Sequence, residues 1–484
     1  MNWKAITRNV GYALLVSALF MLLSIGVSVL DGNDSALAAL IISFTITFTV
    51  GIFPFIFVRR TSAISLKDGY MIITLSWLLS FIFGMLPYAL WGGPFTLQNA
   101  WFESVSGFTT TGATILENIE ALPRSLLFWR SSTHFIGGLG VVVFLLLIIP
   151  NASPIKLRLT NMELSSLSKG SYSVRAGKTV YVFAYVYLAI GLIAFVSYLL
   201  AGMPAFDAIC HAMSVCATGG FSSRNLSIAA FDSRLIELLT MVFMLVASLH
   251  FGLIYMTVIN RSFKPLHNPV LKFYVLTLVV FSILVGTSVR LSNVGYTWGE
   301  AMWSAAFQTI STASTTGFAI TDNAGWPLLP DVLLMFMAVM CGCAGSTTGG
   351  VKADRVLIMC KSISRQIGRI LHPSSVNEIR LGTRVFRDDE VTPHILYIGI
   401  YCIILALSVV VALLLGVNDH SAFAASISSL GNVGPAIREL GMMGNFNSVP
   451  GAAKLLFTFD MFLGRIEIFP VLAVIAMIFD RKGR

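Results

Sequence analysis

The sequence predicts an all-α polytopic membrane protein. Of its 484 residues, 56% are hydrophobic and only 11% are charged, whereas a soluble domain carries about 25% charged residues. The apolar residues fall in runs of about twenty, the length that an α-helix needs to cross a bilayer. The same pattern of run, short polar interruption and run occurs several times, which indicates an internal repeat.

The distribution of charge supports a membrane topology. The formal net charge is +9, but Lys and Arg cluster in alternate loops, as the positive-inside rule requires of cytoplasmic segments. This explains the charge without a nucleic-acid partner. It predicts about ten crossings with both termini cytoplasmic. The basic clusters are Lys4 and Arg8, Arg59-Arg60, the linker Lys156–Lys178, the loop Lys361–Arg387 and the terminal Arg481, Lys482 and Arg484.

The first two apolar runs form a separate N-terminal helix pair. They cover about Val10–Leu30 and Leu37–Val58. No threonine-glycine turn lies between them, so they stand outside the repeat. The first run is too long for the core of a signal peptide.

The repeat is centred on a polar stretch, Phe102–Ala113, which ends in a threonine-glycine turn. Degraded copies of the turn follow at Ala217–Phe221, Thr315–Phe318 and Asn432–Pro435. Their glycines, aligned as Gly112, Gly219, Gly317 and Gly434, are separated by 107, 98 and 117 residues. The fourth copy departs most, since Asn432, Val433 and Pro435 replace hydroxyl residues.

Each repeat is predicted to contain a span, a short helix, the turn and a return span. The first spans are Tyr70–Trp91, Val180–Ala201, Phe273–Leu291 and Pro393–Leu415. The short helices are Asn99–Phe108, Phe206–Cys216, Ala301–Ala313 and Ala422–Leu430. The return spans are Leu126–Ile149, Leu235–Ile259, Val332–Cys360 and Lys454–Phe479. The chain thus divides into the helix pair (1–66) and repeats at 67–177, 178–268, 269–390 and 391–484.

Four such turns are expected to surround one pore. Non-helical backbone at membrane depth is tolerated only where protein buries it or where it lines a water-filled cavity. Rings of backbone carbonyls can replace the hydration shell of a cation, and helix C-termini directed at the axis favour positive charge. The predicted filter residues are Thr110, Thr111, Gly112, Ala217, Thr218, Gly219, Thr315, Thr316, Gly317, Asn432, Val433 and Gly434.

A second polar interruption lies within the return span of the third repeat. The small and hydroxyl residues there weaken the helix and leave polar groups in need of partners. A packed, glycine-rich helix crossing is the alternative, and the spacing of a phosphate-binding loop is absent. The candidate gate residues are Gly342, Cys343, Ala344, Gly345, Ser346, Thr347, Thr348, Gly349 and Gly350.

Arg465 is an ionisable residue inside the last span. Such residues are costly in a membrane and indicate function by default. The alternative is a structural pair with Glu467 or Asp460. Lys352, just after the glycine-rich stretch, is expected to extend to the inner membrane surface.

Other polar residues lie in apolar surroundings near the turns. Glu103, Arg130 and His134 are expected to brace the outer end of the first repeat. Asp207 and Asp232 are expected to add negative potential near the outer mouth, which attracts cations.

The residues resemble the Trk/Ktr/HKT superfamily of potassium transporters, and within it the bacterial TrkH/TrkG pore subunits. The resemblance covers nearly the whole chain. It rests on the four turn glycines, on the extra N-terminal helix pair, and on two motifs, Ser106–Gly112 and Gly464-Arg465-Ile466-Glu467.

This resemblance implies four M1-P-M2 repeats and potassium uptake across the bacterial inner membrane through a channel-like pore. It implies an intramembrane gate loop beneath the filter, with Arg465 facing the pore and restraining conduction. In this superfamily a glycine in all four loops accompanies potassium, whereas serine in the first accompanies sodium preference, so Gly112 favours potassium. It further implies a homodimer and a cytosolic ring of TrkA-like nucleotide-binding subunits, with potassium the bound ion and no organic cofactor on this chain.

Two other classes of function stay open. A potassium symporter coupled to protons or sodium would use alternating access, although few carboxylates within the spans are available for a proton relay. A membrane sensor or enzyme would need a soluble domain, and no catalytic constellation is present in the sequence.

Overall fold

The structure is a computed structural model that describes residues 1–59, 65–140, 176–292, 295–372, 378–381, 384–435, 440–441 and 444–479. Several sequence predictions lie outside these residues. They are the end of the first return span, most of the basic linker that precedes residue 176, and the cations of the C-terminal tail.

The described residues are mostly helical. In the first half, the helices are α1 (Trp3–Leu30), α2 (Leu37–Phe57), α3 (Leu66–Gly84), α4 (Leu86–Trp91), α5 (Leu97–Phe108), α6 (Arg124–Leu139), α7 (Ala176–Leu200), α8 (Ala205–Cys216), α9 (Arg234–Ala247) and α10 (Phe251–Ile259). In the second half they are α11 (Pro269–Leu291), α12 (Trp298–Ala313), α13 (Leu328–Met340), α14 (Ala353–Leu371), α15 (Asp388–Leu414), α16 (Asp419–Gly431), α17 (Gly451–Arg465) and α18 (Phe469–Phe479). Two 3₁₀ turns lie at Ser227–Phe231 and Lys264–His267.

A short hairpin lies within the basic loop of the third repeat. Strands β1 (Ile379–Leu381) and β2 (Arg384–Phe386) pair antiparallel, with Ile379 opposite Phe386. Both of these side chains are buried against Ile358 of α14 and Ala344 of the glycine-rich stretch. The hairpin therefore shares one apolar cluster with the candidate gate.

Six described helices are long and apolar enough to cross a membrane, and a bent pair, α9 with α10, brings the number to seven. The six are the N-terminal pair and the first span of every repeat: Trp3–Leu30, Leu37–Phe57, Lys67–Trp91, Val180–Leu200, Pro269–Leu291 and Asp388–Leu414. The structure is thus a helical membrane-type protein. The count of ten crossings stays a prediction.

The return spans account for the difference. The predicted return spans Leu235–Ile259 and Lys454–Phe479 each contain a break in the structure. The second repeat bends by 99° between α9 and α10. The fourth is interrupted between α17 and α18, where Glu467 and Ile468 have φ angles of +62° and +55°. Apolar composition predicts burial in a membrane, but it does not register where the backbone leaves the helix.

The N-terminal pair packs against the first repeat. The backbones of α1 and α2 approach closely at Gly11, where a Cβ atom would lie 2.7 Å from the carbonyl oxygen of Gly51. Small residues at such a crossing are typical of membrane helices. In the connection between α1 and α2, the carboxylate of Asp34 accepts hydrogen bonds from Ser28, Ala36 and Ser125 and so joins α1, α2 and α6.

Candidate functional site: a ring of four loops

The four short helices α5, α8, α12 and α16 end in the same backbone turn. The residue that starts each turn has a left-handed conformation: Thr110 (φ +53°), Thr218 (+53°), Thr315 (+55°) and Asn432 (+55°). Two residues later comes a glycine with positive φ: Gly112 (+80°), Gly220 (+83°), Gly317 (+77°) and Gly434 (+94°). Residues with a Cβ atom rarely adopt a positive φ, which explains why glycine occupies this position in all four turns.

The same hydrogen bond stabilises every turn. The middle residue donates its amide to the carbonyl of a serine five positions earlier, on the short helix. The four bonds are Thr111 to Ser106, Gly219 to Ser214, Thr316 to Ser311 and Val433 to Ser428, each 2.9 Å long. These serines are a signal in the sequence, because each precedes the middle residue of its turn by five positions; the threonine-glycine pairs alone do not reveal it.

The second turn corrects the predicted alignment. Gly219 was matched with Gly112, but its position in the turn is that of Thr111, and Gly220 occupies the position of Gly112. The second loop has two consecutive glycines, so aligning the first threonine-glycine pair shifts the register by one residue. The pair Gly220-Phe221, which matches Gly317-Phe318, would have corrected it.

The four loops close into a ring. A Cβ atom on Gly112 would lie 2.0 Å from the carbonyl oxygen of Gly219 in the second loop. A Cβ atom on Gly220 would lie 2.0 Å from the Thr316 carbonyl oxygen. On Gly317 it would lie 2.4 Å from the Val433 oxygen, and on Gly434 it would lie 2.1 Å from the Thr111 oxygen. Each loop therefore contacts the next, and the fourth returns to the first. A side chain at any of these glycines would collide with a neighbouring carbonyl.

A cavity of about 180 Å³ opens on one side of this ring. All four ring glycines line it, together with polar residues of the segments that follow the turns, among them Glu117, Arg224 and Asn445. Because Gly220 lines the cavity and Gly219 does not, the cavity independently supports the corrected alignment. We call it the mouth cavity.

The glycine-rich stretch lies against the other side of the ring. Thr218 Oγ1 lies 3.2 Å from Thr347 Oγ1, and the Gly349 amide donates to Thr315 Oγ1 at 3.3 Å. Both contacts involve the residues that start the turns. Residues 341–352 are not helical, so the alternative of a continuous glycine-rich helix is wrong. We call residues 341–352 the intramembrane loop.

The intramembrane loop is held by the break in the second repeat. The Cys343 amide donates to the Ser248 carbonyl, and the Phe251 amide donates to the Gly345 carbonyl, both at 3.0 Å. The carboxylate of Asp354, in the first turn of α14, accepts from the Ala344 amide at 2.6 Å. Two non-helical segments thus satisfy each other's backbone groups inside the fold, as a non-aqueous environment requires.

Arg465 contacts the intramembrane loop. Its guanidinium donates to the Thr347 carbonyl at 2.5 Å and, in the first repeat, to the Gly137 and Gly138 carbonyls at 2.6 and 3.0 Å. The carboxylates proposed as alternative partners are engaged elsewhere: Glu467 pairs with Arg355 at 2.5 Å, and Asp460 contacts Ser408.

The expectation for Lys352 is wrong. Its side chain does not extend to a membrane surface; the residue is only 5% exposed. The ammonium group donates to the carbonyl and hydroxyl of Thr348, within the intramembrane loop. The loop has carbonyl groups without helical partners, and the lysine satisfies one of them.

The predicted brace near the first turn is present and extends into the second loop. The Arg130 guanidinium donates to Glu103 at 2.8 Å, with both side chains almost fully buried, and also reaches the Ser222 carbonyl at 3.2 Å. Arg130 lies 4.0 Å from the Phe221 ring centre, and His134 stacks on the other side at 4.1 Å. These contacts hold the first and second loops together.

Asp207 does not contribute free negative potential. Its carboxylate pairs with Arg224 at 2.7 Å and accepts from Ser223 at 2.6 Å. Asp232 is exposed. Within the described ranges, no group of three or more His, Cys, Asp or Glu residues is placed to hold a metal ion.

Comparisons with known proteins agree with this architecture. The family model TrkH, described as a cation transport protein, matches residues 37–481. The Trk system potassium uptake protein TrkH of Salmonella typhimurium is 32% identical over 490 residues, covering 100% of both chains. TrkG of Escherichia coli is 30% identical over 99% of both chains. The crystal structure of the potassium transporter TrkH from Vibrio parahaemolyticus superposes with a TM-score of 0.88 at 30% identity, over 99% of this chain and 100% of that one. The chain therefore belongs to the TrkH family of cation transport proteins.

Proposed function

We propose that this chain is a potassium uptake pathway whose selectivity filter is the closed ring of four loops. The observation that carries the proposal is the contact of each ring glycine with the next loop's carbonyl. One chain thereby supplies four copies of one turn around one axis, and carbonyl rings of this kind can replace the hydration shell of potassium. The relatives named potassium uptake proteins support the choice of ion.

The filter then consists of the predicted residues, with Gly220 added to the second loop. The C-terminal ends of α5, α8, α12 and α16 lead into the ring, so their negative dipole ends favour a cation there. The mouth cavity is the outer entrance. This assignment corresponds to four M1-P-M2 repeats with the sequence-derived boundaries and about ten crossings, in which the broken return segments complete each repeat.

The intramembrane loop is the gate below the filter. Thr347 is its central contact, since it touches both Thr218 of the filter and Arg465. In this closed arrangement Arg465 joins the loop to the first repeat across the pathway and adds a positive charge to it. Opening requires the loop to leave the ring and Arg465 to release the Thr347 carbonyl.

The remaining assignments follow the family. The protein works in the bacterial inner membrane as a homodimer with cytoplasmic termini. A TrkA-like nucleotide-binding partner acts on the basic segment between α14 and α15. The β1–β2 hairpin supports this assignment, because it shares an apolar cluster with Ala344 of the gate and so links that segment to the intramembrane loop.

Flux through the purified protein tests the proposal. In voltage-clamped proteoliposomes with potassium and sodium gradients, we expect current that reverses at the potassium equilibrium potential whatever the pH gradient. A reversal potential that follows the pH or sodium gradient would instead establish the coupled symporter. Adding the candidate partner with and without nucleotide then tests regulation.

A further inference from the structure

A buried carboxyl group lies behind the fourth loop. Asp460, on α17, is only 2% exposed. Its contact is the hydroxyl of Ser408 on α15, and that hydroxyl lies 3.0 Å from the hydroxyl of Ser426 on α16. Within the described ranges, no Lys, Arg or His side chain pairs with this carboxyl. The site plays no part in the filter and gate described above.

The charged groups of the neighbouring helices are turned elsewhere. On α17 itself, Lys454 donates to Asn99 and to the Asn447 carbonyl, and Arg465 reaches the gate. On α5, Glu103 is held by Arg130. The titratable group that faces Asp460 from α15 is the phenol of Tyr401, whose hydroxyl is buried. None of these supplies a positive charge to the carboxyl.

Burial and hydrogen bonding together indicate a protonated acid. An ionised carboxylate without a cation partner costs several kcal/mol in such a site, and the group takes up a proton instead. The Ser408 hydroxyl has one hydrogen and two neighbours. A protonated Asp460 donates to Ser408, which then donates to Ser426. An ionised Asp460 reverses the chain, because Ser408 must then donate to the carboxylate and Ser426 to Ser408.

The hydrogen-bond chain Asp460–Ser408–Ser426 ends on α16, the helix that stabilises the fourth loop. Ser426 lies on α16 two residues before Ser428, whose carbonyl accepts from the Val433 amide at 2.9 Å. On the other side, the carbonyl of Met461, next to Asp460, accepts from the Asn432 side-chain amide at 2.8 Å. That amide also donates to Thr111 Oγ1 at 3.1 Å. Asp460 is thus connected to the fourth loop through two separate helices.

We propose that Asp460 is a proton-binding site that is occupied at neutral pH and keeps the fourth loop in its conducting arrangement. Loss of the proton at alkaline pH reverses the Asp460–Ser408–Ser426 chain, places a bare charge behind the filter and lowers potassium flux. The effect on flux rests on the proposed potassium pathway, whereas the presence of the proton does not.

Infrared spectroscopy of the purified full-length chain tests the proton directly. We expect a protonated-carboxyl C=O band at about pH 7 that disappears on alkalinisation and is missing in Asp460→Asn. Asp419→Asn, the same change at an exposed site at the start of α16, is the matched control and should keep the band. A wild-type spectrum from which Asp460→Asn removes no band would overturn the proposal, even if potassium flux fails for another reason.

Potassium flux at graded pH tests the consequence. Once the carboxyl is mostly ionised, the protonated fraction falls about tenfold per pH unit, and we expect wild-type and Asp419→Asn flux to fall with it. Asp460→Asn, whose amide can donate permanently to Ser408, should keep its neutral-pH flux and lose the alkaline decline. Ser408→Ala, which removes the middle hydroxyl of the hydrogen-bond chain, should have reduced potassium flux already at neutral pH. An alkaline decline that persists unchanged in Asp460→Asn, or a wild-type flux that does not decline, would overturn the proposed link.

Discussion

Replacing Arg465 with alanine should raise the basal potassium flux in the absence of any regulatory partner. The guanidinium donates to the Thr347 carbonyl of the gate and to two carbonyls of the first repeat. A hydrogen bond from a charged group contributes about 1.5–3 kcal/mol. Losing the Thr347 bond alone should therefore shift the ratio of closed to open loop by about 10- to 150-fold.

Rubidium uptake into proteoliposomes measures this shift. Arg465→Lys is the matched variant: it keeps the charge but cannot reach both sides of the pathway with a planar fork, so its flux should lie between wild type and Arg465→Ala. Thermal unfolding of the detergent-solubilised protein checks that both variants are folded. Flux in Arg465→Ala that equals or falls below wild type would refute a restraining contact between Arg465 and the gate.

Three further predictions follow from the ring and its supports. Gly220→Ala should abolish selective flux, because its Cβ would lie 2.0 Å from the Thr316 carbonyl oxygen at φ +83°. Gly202→Ala is the control: it has φ +90° but no atom within 4 Å, so it adds only about 1–2 kcal/mol of backbone strain. Equal potassium flux in the two variants would contradict the ring. Glu103→Gln should lower the free energy of unfolding by about 3–5 kcal/mol, since it leaves buried Arg130 without its charge partner. Arg124→Ala, which removes an exposed pair with Asp31, should lower it by about 0–1 kcal/mol. Thermal unfolding measures both. Asp34 should stabilise the fold mainly above about pH 4: burial alone would raise the pKa of its carboxyl, but hydrogen bonds from Ser28 and Ser125 outweigh it and lower that pKa below the usual 3.8. This stability is lost as pH falls through the lowered pKa, so the difference in melting temperature between wild type and Asp34→Asn should shrink on acidification, and a difference that grows would contradict the assignment.

The spans and the turn sites were predictable from the sequence. Runs of apolar residues identify the membrane helices, and the four polar interruptions mark where the backbone must leave the helix inside the membrane. The short helices were predicted to within a few residues for the same reason. The polar stretch at 342–350 and the isolated charge of Arg465 were visible as costly exceptions in an apolar sequence.

The remaining features depend on tertiary contacts that a linear pattern does not contain. The bend at residues 248–250 lies in an apolar run that Ser248 and His250 interrupt. His250 caps α10 by accepting from the Gly252 amide, and the Ser248 carbonyl accepts from the Cys343 amide of the intramembrane loop. Lys352 follows the glycine-rich stretch, where a long side chain could reach the membrane surface. Its ammonium group instead donates to the Thr348 carbonyl of the intramembrane loop. The register of the second loop is ambiguous in sequence because of its consecutive glycines, and the contact of Gly220 with the third loop resolves it.

The ratio of potassium to sodium permeability in Gly112→Ser tests the filter most directly. Gly112 has φ +80°, and a Cβ there would lie 2.0 Å from the Gly219 carbonyl oxygen, so a serine must displace a carbonyl of the ring. We predict a wild-type reversal potential close to that of potassium under opposing potassium and sodium gradients, and a shift toward that of sodium in Gly112→Ser. A folded Gly112→Ser protein with unchanged potassium selectivity would contradict the assignment of the ring as the selectivity filter.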